Sequence, residues 1–175
     1  MIELIVRLTR HDERALRALV LRRRWWADHL MRGVTHLGGA TVSIALALGL
    51  VLGVPEGPLH RAGILAAFAL AFSHALVQLI KRTVDRPRPR LPVGLESLVR
   101  APDRFSFPSG HAAASLAVVL PVAAVAGGFA GLLLVGLGLM VGFSRAYLGV
   151  HYPGDVLVGW LLALVGIWAG ALIGI

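Results

Sequence analysis

Cysteine is absent from the 175-residue chain, which excludes disulfide frameworks, thiolate metal sites, a thiol nucleophile and acylation at cysteine. Charge is scarce, at 15% of residues, and acidic charge scarcer still, with nine Asp and Glu against seventeen Lys and Arg. With 57% hydrophobic residues and a mean hydropathy of +0.79, the apolar content exceeds what one soluble domain can bury, so a soluble globular enzyme is disfavoured. The net charge of +8 taken alone suggests nucleic acid, but the long uncharged runs argue for a membrane with anionic headgroups instead. A cleavable signal peptide is not expected, because Glu3, Arg7, Arg10, Asp12 and Glu13 interrupt the apolar core it would need.

What the chain does contain is five uncharged runs, each near the roughly 20 residues that a helix needs to cross a bilayer. They cover about 34–54, 59–80, 109–126, 129–148 and 155–175. Arg61 near the start of the second can snorkel to the interface. The turn Pro55-Glu56-Gly57-Pro58 separates the first two, and Gly127-Gly128 links the third and fourth. Gly138/Gly142, Gly166/Gly170 and Gly170/Gly174 have the small-xxx-small spacing of close helix packing, and Pro121 predicts a kink. Residues 1–33 read as an amphipathic interfacial segment. In it Leu16, Leu19, Val20, Trp26 and Leu30 share one helical face opposite Arg14, Arg17, Arg24 and Asp28. Arg23 falls on the wrong face, and Thr9 is the expected N-cap. The expected fold is therefore all-α, an integral membrane bundle of five transmembrane helices plus an interfacial helix. Residues 34–175 form the membrane domain and 81–108 its polar loop.

The parity of the crossings brings three polar segments to one side of the bilayer: 81–89, 108–111 and 144–155. Lys81 ends one helix, and Arg88 follows in a stretch that Pro87 and Pro89 keep extended, so two cations approach from different directions. Their bland reading is interfacial anchoring, and that reading is preferred for Arg82, Arg86 and Arg90. His74 and Gln78 share a helical face with Lys81 and read best as an interhelical hydrogen-bonded pair. Pro108-Ser109-Gly110-His111 opens a helix whose N-terminus attracts anions, with Ser109 adding a hydroxyl, Gly110 allowing close approach and His111 placed to donate a proton. His151 and Asp155, four apart, let the carboxylate accept from one imidazole nitrogen and leave the other exposed as a nucleophile, while Asp155 also suits an N-cap. Arg145 is a third cation for the same pocket. With Asp85, Glu96 and Asp103 scattered singly, no metal cluster is expected, and the parts suit metal-independent phosphoryl transfer.

Lys81-x6-Arg88-Pro89, Pro108-Ser109-Gly110-His111 and Ser144-Arg145-x5-His151-x3-Asp155 together resemble the three signature motifs of the type 2 phosphatidic acid phosphatase family. The resemblance implies a membrane lipid phosphatase without a cofactor, acting on undecaprenyl diphosphate, phosphatidylglycerophosphate or phosphatidate. It implies that His151 forms a phosphohistidine with Asp155 holding its ring. Lys81, Arg88, Arg145, Ser109 and Gly110 would bind the phosphoryl oxygens, and His111 would protonate the leaving group. The expected partners are the bilayer and the lipid substrate, not nucleic acid. The family analogy puts the site on the outer face of the cell membrane, whereas sixteen of the seventeen cations lie on the site's side, which favours the cytoplasm. Rival readings are a non-catalytic anion-binding protein or transporter, in which His151 is dispensable, and a vanadium-dependent peroxidase.

Overall fold

The computed structural model describes residues 2–175, with side chains from Arg10 onward. The described residues form α1 (Ile2–Val20), α2 (Trp25–Thr35), a 3-10 turn (His36–Gly38), α3 (Ala40–Leu52), α4 (Pro58–Val84), α5 (Gly110–Ala126), α6 (Gly128–Tyr147) and α7 (Pro153–Leu172). Helices α4, α6 and α7 are each long and apolar enough to cross a membrane. The α2-to-turn segment and α3 meet that test only as a pair bent by 51°, and α5 is apolar but only 17 residues long.

Two expectations about the front of the chain need correction. The run 34–54 is not one straight span: the 3-10 turn and the extended Gly39 (ψ 150°) divide it, leaving α3 with 13 residues. The interfacial helix expected within residues 1–33 is likewise two helices, broken at 21–24. Helix α1 begins at Ile2, so Thr9 lies inside it and not at its start. Part of the apolar face of α1 packs against protein. Leu16 and Val20 are buried against Tyr152, with Leu91 and Leu95 of the polar loop packed beside them. The loop and the start of α7 offer α1 apolar surface, and burying it removes both faces from water. Trp25 and Trp26 remain exposed at the head of α2.

Arg23, the residue that spoiled the amphipathic pattern, explains the break. Its guanidinium donates to the carbonyls of Tyr147 (2.9 Å) and Glu96 (2.8 Å), tying the α1–α2 junction to the end of α6 and to the polar loop.

Small residues set how closely α4, α5 and α7 approach. Ala69, Ala117 and Ala163 are buried where the three meet. A β-carbon at Gly166 would stand 2.8 Å from the carbonyl oxygen of Ala69, and one at Gly159 only 2.5 Å from that of Ser109. Close approach in lipid therefore depends on these glycines. The Gly159 contact matters most for function, because it seats α7 on the first turn of α5. Gly174 lies past the end of α7 with nothing near it, so the Gly170/Gly174 spacing is not a packing motif. Helix α5 continues through Pro121.

Candidate active site

The polar end of the bundle is built from three chain reversals. At the end of α4, Asp85 adopts a left-handed conformation (φ 46°) that short polar side chains tolerate, and the chain leaves as an extended Arg86-Pro87-Arg88-Pro89 stretch. Residues i and i+2 of an extended chain share a face about 6.6 Å apart. Arg86 and Arg88 both point back toward the α6–α7 turn, Arg86 to Asp155 (2.6 Å) and Arg88 to His151 (2.8 Å). The loop is held back on itself by the bond from Ser106 N–H to the Arg86 carbonyl (2.8 Å). Between α6 and α7, Gly149 takes φ +79°, where a side chain would be strained, and the backbone N–H groups of Val150 and His151 both bond the Arg145 carbonyl at 3.2 Å. That turn brings Arg145 and His151 to the same corner.

His151 is buried, with 2% of its surface exposed. Its Nδ1 lies 2.6 Å from the Ser106 carbonyl and its Nε2 lies 2.8 Å from Nη1 of Arg88. A carbonyl can only accept and a guanidinium can only donate, so Nδ1 carries the hydrogen and Nε2 presents its lone pair. Burial holds this neutral form by pushing the imidazole down to about 4; Asp155 opposes the shift, and Arg88 and Arg145 reinforce it.

Asp155 lies beside His151 at the start of α7, as expected, but does not hydrogen-bond the ring directly. Its Oδ2 stands 3.6 Å from Nδ1 of His151, beyond hydrogen-bond range. The reason is its second role: as the third residue of α7 it accepts from the Tyr152 backbone N–H (2.8 Å) in a capping box, and also from the Ser106 hydroxyl. Its other oxygen accepts from Nη1 of Arg86 at 2.6 Å. Asp155 therefore touches the ring's surroundings through Ser106, which supplies both the hydroxyl to Asp155 and the carbonyl to Nδ1.

Lys81, Gly110, His111 and His151 line one cavity of about 540 Å³, which continues between α3 and α4. Lys81 Nζ donates to Asp103 at 2.6 Å, and Arg88 Nη2 to the other oxygen of the same carboxylate at 2.8 Å. Burial works to raise the Asp103 carboxyl, but the bonds from Lys81 and Arg88 outweigh it and hold the group below the usual range. Arg145 is buried; its Nη1 donates to the Thr35 hydroxyl at 2.7 Å, and its Nε has no partner among the described residues. Ser109 is fully buried as the N-cap of α5, its hydroxyl accepting from the Ala112 N–H at 3.4 Å, while Gly110 and His111 face the cavity.

The three polar segments thus meet at one place, and the Arg88–His151 contact joins the first to the third. Sequence reasoning missed Asp103, Ser106, Arg86, Asp12 and Thr35. Arg86 is not a surface anchor: besides Asp155 it donates to Asp12 of α1 at 2.9 Å and lies 4.0 Å from the centre of the Tyr152 ring. Asp12 in turn accepts from the Gly154 N–H at 2.7 Å. A lone acidic residue in a basic loop was the available signal for Asp103. Nothing local marked the others, whose partners lie 69 to 142 residues away for Arg86 and Asp12 and 110 away for Thr35. His74 and Gln78 bond each other along α4 (3.1 Å) and face the cavity, so they are not an interhelical pair. No group of three or more His, Asp or Glu side chains suited to a metal ion occurs among the described residues.

Residues 62–174 match the family model described as the PAP2 superfamily. The chain belongs to that superfamily. It is 32% identical over 170 residues to phosphatidylglycerophosphatase B of Bacillus subtilis (strain 168), spanning 88% of this chain and 78% of that protein. It is 41% identical over 138 residues to the decaprenylphosphoryl-5-phosphoribose phosphatase of Mycobacterium tuberculosis (strain ATCC 25618 / H37Rv), spanning 77% and 74% of the two chains. The crystal structure of a transmembrane PAP2-type phosphatidylglycerolphosphate phosphatase from Bacillus subtilis shares its fold with a TM-score of 0.77 at 26% identity, over 95% of this chain and 85% of that one. With its apolar helices, the PAP2 chain is a multi-pass membrane hydrolase of the lipid phosphatase class.

Proposed function

We propose that the protein hydrolyses a phosphate ester or diphosphate of a membrane lipid through a phosphohistidine on His151, without a metal ion. The observation that carries this reading is the pinned tautomer: a buried neutral imidazole whose Nε2 lone pair faces Arg88 beside Lys81 in a cavity shared with His111. A nucleophile, an acid and cations for a developing charge are the parts phosphoryl transfer requires.

In this mechanism the phosphoryl group enters between Lys81, Arg88 and Arg145, and its oxygens replace Asp103 and Nε2 of His151 as acceptors for the two cations that now hold them. Nε2 forms a bond to phosphorus as the bond to the leaving oxygen breaks, and His111, charged once the phosphate anion lies beside it, gives that oxygen its proton. Water then attacks the phosphohistidine, passes a proton to His111 and releases inorganic phosphate with Nε2 free again. Asp155 and Ser106 keep the Nδ1 edge fixed, and the N-terminus of α5, exposed at Gly110, adds backbone donors. Residues 25–175 supply this machinery in five crossings, with α2 and α3 as one bent span and α5 as a short one; α1 covers its polar end. We place the site on the outer face, which accessibility of a cysteine introduced at residue 90 to a membrane-impermeant reagent tests.

Protein purified in detergent is expected to release phosphate from lipid phosphates with EDTA present, and His151→Ala is expected to remove that activity while the fold persists. Unimpaired turnover in the variant contradicts the reading, as does activity that EDTA abolishes.

A further inference from the structure

The site cavity does not stop at the catalytic residues. It runs down a groove between α3 and α4 whose walls are apolar, among them Ile44, Ala47, Leu48, Leu70 and Ala71. Two polar side chains interrupt this wall, His74 and Gln78, both exposed within the groove. Gln78 and His74 lie three and seven residues below Lys81 on α4, or about 4.5 Å and 10.5 Å along the helix at its rise per residue. The Gln78 amide nitrogen can only donate, so its 3.1 Å contact to Nε2 of His74 makes that nitrogen the acceptor and leaves the hydrogen on Nδ1. The pair therefore satisfies one bond internally and leaves an imidazole N–H, an amide N–H and an amide oxygen without a protein partner among the described residues, on side chains that line the groove. Polar groups at this depth of a spanning helix are costly unless they meet a partner.

Taking the proposed phosphatase reading as its basis, we propose that His74 and Gln78 are specificity-determining residues that bind oxygen atoms in the linker between the scissile phosphate and the hydrocarbon tail. Lipids whose phosphate sits on an acylated or hydroxylated polyol carry such oxygens four to six bonds from phosphorus, about 5–8 Å along an extended chain. A prenyl monophosphate has only hydrocarbon at that distance. A site that offers hydrogen bonds discriminates against an analogue lacking the matching groups more sharply than an apolar wall does. The enzyme thus favours glycerophospholipid-type or sugar-linked phosphates over simple prenyl phosphates.

The test compares wild type with Gln78→Leu and the double variant His74→Leu/Gln78→Leu, whose leucines suit a lipid-facing helix. Specificity constants are measured in mixed micelles on phosphatidate, phosphatidylglycerophosphate and farnesyl monophosphate. The double variant is expected to lose about 10-fold or more on the two polyol lipids, mainly in KM, and less than about 3-fold on the prenyl substrate. A larger loss on phosphatidate assigns the contact to acyl esters; a larger loss on phosphatidylglycerophosphate assigns it to the hydroxyl and phosphodiester. Equal losses on all three, or none, overturn the proposal. Should wild type hydrolyse none of them, the phosphatase reading is tested separately on a prenyl diphosphate, and inactivity there too counts against it alone. The linker reading is then decided by competition of phosphatidate against farnesyl monophosphate for a bound fluorescent lipid in His151→Ala: a preference erased by the two leucines supports it, and an unchanged one overturns it.

Discussion

The two edges of the His151 imidazole are held in opposite ways. At the Nε2 edge a single cation, Arg88, donates to a nitrogen that carries a lone pair, and its other bonds go to Asp103 and to the Val150 carbonyl. At the Nδ1 edge the ring's hydrogen-bond partner among the described residues is a backbone carbonyl, and behind it Asp155, 3.6 Å from Nδ1, is fixed by Ser106, Tyr152 and Arg86, with Arg86 fixed in turn by Asp12. The front edge opens on the cavity and its partners can be exchanged for a phosphate. The back edge is a network in which each carboxylate oxygen has a donor, with Asp155 and Ser106 buried and Arg86 and Asp12 half-buried. Two arginines separated only by Pro87 therefore do different work: Arg88 meets the substrate side, and Arg86 holds the scaffold that aims the ring.

The comparison predicts effects that fall from front to back. Replacing the nucleophile itself, His151→Asn, is expected to reduce kcat by more than about 10⁴-fold with circular dichroism unchanged, because residues acting as one unit fail together. Arg88→Ala should cost about 10²- to 10³-fold in kcat/KM. It should also move the acid limb of the pH profile. Since burial and the nearby cations hold the imidazole down to about 4, the nucleophile stays neutral above that pH and is lost as pH falls through it; removing the Arg88 charge raises the limb. At the back edge, Arg86→Gln is expected to lower kcat by about 10-fold with KM within about 2-fold. It should also lower the melting temperature by several degrees, because buried Asp155 loses its charged partner. Asp12→Asn should do least, about 3-fold in kcat, because it acts through Arg86 and the Gly154 N–H. An Asp12 effect as large as that of Arg88 would erase the distinction between the edges.

Much of this arrangement was legible in the chain. The uncharged runs and their parity sufficed to predict that Lys81, Arg88, His111, Arg145 and His151 share one end of a helical bundle, because a helix in lipid must run the width of the bilayer. The ends of the elements were less legible. The break at residues 36–39 follows no charge or hydropathy signal, and the docking of α1 depends on apolar loop residues such as Leu91 and Leu95, which had no periodicity to mark them. The orientation of Asp155 was misread for a related reason. Four-residue spacing from His151 says that the two are near, but the choice of Ser106 as the ring's partner depends on how a loop some 45 residues upstream folds back. Local pattern gave the cast of the site, and long-range loop packing assigned the partners.

The central claim is that Nε2 of His151 carries the phosphoryl group between the two half-reactions. It is tested most directly by mixing wild type, and His111→Ala in which both half-reactions are slowed, with lipid phosphate, stopping the reaction in base at a series of times, where a phosphorus–nitrogen bond survives, and mapping phosphopeptides by mass spectrometry. A phosphoryl adduct on His151, lost on acid treatment and missing from the His151→Ala/His111→Ala double variant, is the predicted result. Substrate turnover by the wild type with no adduct at His151 under any quench time, or an adduct on another residue, would contradict it.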